Sequence, residues 1–138
     1  MSPALLPQLV LDRLRAVAAE ASDARLVVLF GSVARDQAMT TSDVDLGISG
    51  LGFWDSLRLG AELGSVLGRE PHVVDLDQTS DVLRFHVARD GILLHEGAPH
   101  AWTRFRAEAL VRYLDFAPIL SLCAEGVRRR LLREAGRG

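Results

Sequence analysis

Cysteine occurs once in this chain, at Cys123, so no internal disulfide can form and the sequence fits a reducing compartment. No apolar run approaches the length of about eighteen residues that marks a membrane span, and the N-terminus lacks the charged-then-apolar layout of a signal peptide. Neither sign of charge dominates. A net charge of −2 argues against a broad polyanion-binding surface, so direct nucleic-acid binding is not expected. Internal repeats, low-complexity segments and linkers are missing as well. These absences predict a cytoplasmic protein with no membrane contact. A length of 138 residues is enough for one domain, 1–138, with a real core, and 49% apolar content is ordinary globular usage.

What is present is a succession of short periodic segments. Pro3 to Ala21 carries Leu6, Leu9, Val10, Leu14 and Val17 at helical spacing. Arg25 to Phe30 includes the unbroken apolar run Leu26-Val27-Val28-Leu29-Phe30, which reads as a buried strand. A short helix is expected over Val33 to Gln37, and Val44 to Ile48 alternates as a half-buried strand does. Trp54 to Leu67 reads as a helix closed by Gly68, and His72 to Leu76 as a third strand. Thr79-Ser80-Asp81 has the chemistry of a helix cap before Val82 to Arg89, and Ile92 to Leu94 suits a short edge strand. From Pro99 to about Arg133 the pattern is helical, with a bend expected at Pro118. This order predicts an α/β domain: a core over about 25–96 with a small mixed sheet and helices packed on one side, then a C-terminal helical region over about 99–134.

The chemistry is concentrated in Gly31 to Leu46, GSVARDQAMTTSDVDL. A strand runs into Gly31-Ser32, ten residues intervene, and Asp43-Val44-Asp45 follows. Side chains two apart on a strand share a face, so the two carboxylates are expected in one cleft, where their repulsion calls for a cation such as Mg²⁺. Gly31 permits close backbone approach, Ser32 offers a hydroxyl and an amide to phosphate, and Arg35 offers a charged contact. An Asp-x-Asp by itself is common, and Ser42-Asp43 can merely cap a turn. Joined to the strand and the Gly-Ser pair at this offset, it points to nucleotidyl transfer.

GSVARD…SDVDLGI closely resembles the GSxARG…SDxDLxV signature of the DNA polymerase β superfamily, in its minimal nucleotidyltransferase (MNT) branch. GREPHVVDLDQTSDVLRFHVARDGILLHE is similar to that family's third strand, helix and DGxxLxE edge, and FRAEALVRYLDFAPIL to its C-terminal helix with a Tyr-x-Asp element, here Tyr113 and Asp115. The resemblance implies the polymerase β-like fold and the antitoxin half of a HEPN/MNT toxin–antitoxin pair. Such proteins use ATP and Mg²⁺, expected here as two ions, to place AMP on a tyrosine of a cognate HEPN ribonuclease, with which they form a hetero-oligomer. It assigns metal binding to Asp43 and Asp45, and nucleotide binding to Gly31, Ser32, Arg35 and Ser42.

One position departs from the pattern. Laid without gaps on the family's third-strand segment, the third catalytic carboxylate falls on His72, whereas Asp75 and Asp77 match later residues. Strand parity places His72 with Val74, and Asp75 on the opposite face with Val73, unless a bulge at Pro71 shifts the register. An imidazole at that position can act as a general base near neutral pH, or simply end the strand. The expected function is therefore AMP transfer to a HEPN toxin. The alternatives are a weak or inactive MNT antitoxin that neutralises by contact, and a small-molecule nucleotidyltransferase of the aminoglycoside type.

The remaining residues are less directive. His86, His95 and His100 show no metal-type spacing, and Phe53 and Trp54 are expected to pack. Trp102, Phe105, Ala109, Tyr113 and Phe116 recur at helical intervals as a core face or a partner face. The Arg128 to Arg133 run suits a solvated helix C-terminus or an acidic partner. Cys123 is expected to be buried.

Overall fold

The computed structural model describes residues 7–20, 23–31 and 44–137. Four strands and four helices lie in these segments, in the order α1 (Gln8–Ala19), β1 (Leu26–Phe30), β2 (Asp45–Ser49), α2 (Phe53–Leu67), β3 (His72–Asp75), α3 (Asp81–Asp90), β4 (Ile92–Glu96) and α4 (Ala101–Arg137). The strands form one mixed sheet in the order β3-β2-β1-β4. β1 pairs antiparallel with both β2 and β4, while β2 and β3, joined through α2, run parallel. The chain thus makes a hairpin-like pair for the middle of the sheet and a helical crossover for its edge, as parallel neighbours require.

β1 is central because every one of its side chains is apolar, so neither of its faces can be left to water. Val27 and Leu29 point into one core with Leu46, Ile48, Leu14 of α1 and Leu59 and Leu63 of α2. Leu26, Val28 and Phe30 point into a second core with Leu76, Val87 of α3 and Phe105 and Ala109 of α4. Packing on one side therefore describes only half of the molecule. α1 and α2 cover one face, and α3 with the C-terminal extension covers the other, since the doubly apolar β1 demands two lids.

Local signals explain where the elements end. The Ser80 hydroxyl accepts the Leu83 amide at 3.2 Å and starts α3, and Gly68 in the left-handed region (φ 76°) closes α2. α2 lies unusually near β3: a Cβ on Gly60 would stand 2.6 Å from Val73 Cγ2. α4 runs for 37 residues, a length of about 55 Å at 1.5 Å per residue, and is one helix through Pro118. An interior proline removes a single amide from the ladder while the turns on either side keep theirs.

On α4 the buried side chains are Ala101, Phe105 and Ala109 at four-residue spacing, and the Tyr113 ring stacks on Phe85 of α3 at 3.9 Å. Leu110, Val111 and Leu114 face outward. The expected recurrence of Trp102, Phe105, Ala109 and Tyr113 is thus mostly a packing face against α3 and the sheet. The side chains of Phe116 and Cys123 lie outside the described residues.

Candidate active site

The C-terminal end of β1 and the N-terminal ends of β2 and β3 meet at one edge of the sheet. Phe30, the last residue of β1, is the register partner of Asp45, the first of β2, and Asp45 is in turn the partner of His72, the first of β3. Register partners share a face, so Asp45 and His72 stand side by side on the α3 and α4 side. Their side chains meet at 3.4 Å, Nδ1 of His72 to Oδ1 of Asp45.

Immediately after β1 the backbone turns through Gly31 at φ 91°, a conformation favouring glycine. A Cβ at this position would collide with the Asp45 carboxylate. The absent side chain leaves a cradle in which backbone and carboxylate approach each other closely. The Asp45 side chain is 24% exposed, and among the described residues His72 is the only basic group within ion-pair distance of it. A largely buried carboxylate that no arginine among the described residues neutralises is a fitting ligand for a divalent cation. Among the described residues no three His, Cys, Asp or Glu side chains converge as a metal cluster.

The other acids of this segment have different work. β3 pairs regularly from Asp45↔His72 to Ile48↔Asp75, so no register shift brings Asp75 round. Asp75 sits three residues along the strand, level with Ile48 and on the opposite face from His72. Its Oδ1 accepts the Asp77 amide at 2.9 Å. Asp77 accepts the Ser49 hydroxyl at 2.7 Å and the Gly50 amide at 3.0 Å, pinning the turn after β2. The long-range bonds of Asp77, and the local bond that Asp75 accepts from its amide, give these acids a structural part that spacing alone does not reveal.

Ser32, Arg35, Ser42, Asp43 and the helix expected over Val33 to Gln37 lie outside the described residues. Phe53 and Trp54 differ from expectation. They open α2 at the end of the sheet away from Asp45, exposed at 67% and 76%, and contact each other edge to face at 5.0 Å. They neither pack into the core nor border the site. His86 and His100 are exposed, and His95 is partly buried with Nε2 unpaired among the described residues. A cleft of about 480 Å³ runs between α2 and β3, lined by Gly60, Gly64, Pro71 and Val73, and stops short of Asp45 and His72.

Comparison with known proteins adds the family. The model of the polymerase beta nucleotidyltransferase domain matches residues 12–99, well over half the chain. No curated protein matches significantly. Among solved structures, a chain from a toxin–antitoxin crystal structure with AMP-PNP is similar at TM-score 0.65 and 21% identity, over 82% of this chain and 97% of that one. A second is the complex of a tri-AMPylated Shewanella oneidensis HEPN toxin with its MNT antitoxin, at TM-score 0.63 and 22% identity, covering 87% of this chain and 97% of that one. These likenesses lie in the fold: a four-stranded mixed sheet carrying helices, as MNT antitoxins have it. With the Gly31 turn set against Asp45 at the end of such a sheet, and a family match spanning both, the chain belongs to the polymerase beta nucleotidyltransferase family.

Proposed function

We propose that this chain is an MNT-type antitoxin that transfers AMP from ATP to a tyrosine hydroxyl of a cognate HEPN ribonuclease toxin in the cytoplasm, and so silences it. The observation that carries the reading is the Asp45 carboxylate held against the Gly31 turn, an arrangement that puts a phosphate-approaching backbone and a metal-binding oxygen in contact. It is supported by a structural neighbour that pairs an MNT antitoxin with a tri-AMPylated HEPN toxin, and by another that contains AMP-PNP.

In this reading the phenolic oxygen attacks the α-phosphorus, the bond to pyrophosphate breaks, and the phenolic proton passes to water. Gly31 and Ser32 hold the triphosphate through backbone amides and a hydroxyl, with Ser42 and Arg35 adding polar and charged contacts. Asp43 and Asp45 would hold Mg²⁺, which supplies charge neutralisation and polarisation at the phosphates. His72, which the resemblance aligns with the third carboxylate, would stand at the edge of this site, and its place beside Asp45 supports that role. The chain's own residues thus fix the triphosphate and hold its α-phosphorus open to the incoming phenol, which is the main catalytic demand of such a transfer.

Co-expression with a cognate HEPN toxin, followed by mass spectrometry of that toxin, tests this directly. Wild type should add AMP units to the toxin, and the Asp43→Ala/Asp45→Ala variant should add none. An unmodified toxin that is nonetheless neutralised would support a second reading, an antitoxin acting by contact alone. That reading is favoured by one observation: the group beside Asp45 on β3 is an imidazole, His72, and not a carboxylate.

A further inference from the structure

We propose that His72 is a metal ligand, and that together with Asp45 it makes this site select Mn²⁺ over Mg²⁺. The inference rests on the nucleotidyl-transfer reading and names the cation that reading leaves open.

Three observations carry it. The first is proximity: the parallel register of β2 and β3 sets the two side chains beside each other, with Nδ1 and Oδ1 3.4 Å apart. That gap is long for a hydrogen bond. It is close to the separation of neighbouring donors around one octahedral ion, about 3.0 Å for bonds of about 2.1 Å. A small side-chain movement brings both onto one cation. The second is availability. The imidazole is 74% exposed, it stands on the edge strand, and among the described residues Asp45 is the only acid within ion-pair reach of it. The third is that Asp75, the other acid of β3, is no substitute: it is level with Ile48 on the other face and its carboxylate is engaged by the Asp77 amide.

The donor set then decides the metal. Mg²⁺ strongly prefers oxygen, whereas Mn²⁺ tolerates a mixed nitrogen and oxygen shell at similar octahedral geometry. Replacing a carboxylate by an imidazole also removes a negative charge, which costs the harder ion more. Two protein donors are sufficient where substrate phosphates and water complete the shell.

The test uses the full chain with ATP and Mn²⁺, followed by electron paramagnetic resonance. Pulsed spectra of wild type should show nitrogen coupling to bound Mn²⁺, and competition should show Mg²⁺ displacing Mn²⁺ only at about tenfold or greater excess. His72→Asp should lose the nitrogen coupling and bind the two ions within about threefold of each other. Coupling that persists in His72→Asp belongs to another nitrogen, from a different histidine or the adenine of ATP, and overturns the proposal. So does wild-type binding without nitrogen coupling, and if AMP transfer continues in that case the transfer reading stands alone. Binding of Mn²⁺ and ATP to the chain that Asp45→Asn leaves unchanged overturns both.

Discussion

His72 Nδ1 stands 3.4 Å from Asp45 Oδ1 because the two residues are register partners at the start of parallel strands. On the proposed reading, the identity of residue 72 is a direct control on the site. His72→Asp should raise Mg²⁺-dependent transfer of labelled AMP to the toxin by about tenfold, and His72→Ala should lower it by a comparable factor. Equal rates for all three proteins would show that the third position is idle.

Gly31→Ala should damage both stability and transfer. A non-glycine residue held at φ 91° costs about 1–3 kcal/mol, and its Cβ would press on the Asp45 carboxylate. Both effects have the same sign, so a fall of roughly 5–10 °C in Tm is expected, together with loss of transfer. Thermal denaturation beside the mass-spectrometric assay checks both. An unchanged Tm would mean that the turn tolerates a side chain.

Gly60→Ala sets two effects against each other. Alanine in a helix interior gains about 1 kcal/mol over glycine, while overpacking costs about 1–3 kcal/mol. The new Cβ would lie 2.6 Å from Val73 Cγ2, a β-branched side chain with little freedom to move, so the cost should win by about 1 kcal/mol in urea denaturation. Adding Val73→Ala removes the obstacle. The double variant should therefore be less destabilised than the sum of the two single changes, and simple additivity would show that the contact is not what limits the substitution.

Ser80→Ala removes the acceptor of the Leu83 amide at the start of α3 and should cost about 1 kcal/mol. Transfer by the folded protein should be unaltered, since Ser80 lies far along the chain and the sheet from Asp45. Chemical denaturation and the transfer assay, run together, separate the two outcomes.

Much of this was readable in the sequence where a period carries the information. The five apolar residues of β1 announced a buried strand, and the two-residue period of strands put His72 and Asp75 on opposite faces, while only the register shows that His72 shares the face of Asp45. Helices on both faces follow from that doubly apolar strand, so the one-sided packing expected from element order covers only half of the sheet. Contacts between distant segments were not legible. Nothing in the spacing says that Asp77 ties down Ser49 and Gly50, or that the buried Arg84 guanidinium donates to the Leu76 carbonyl beneath the Phe105 ring. The exposure of Trp54 escaped for the same reason, since an aromatic at a helix start looks the same in sequence whether or not another element covers it.

The edge position of β3 has a consequence for how such a protein changes over generations. His72 has one strand neighbour and projects mostly into solvent, so a different residue there disturbs almost no packing. Asp45 is confined between Phe30 and Gly31 and has no such latitude. On the proposed role of His72, mutation can therefore explore metal preference and catalytic rate at that position with almost no penalty in folding. Chemistry of this kind can drift, be tuned or lapse into mere contact while the scaffold stays intact.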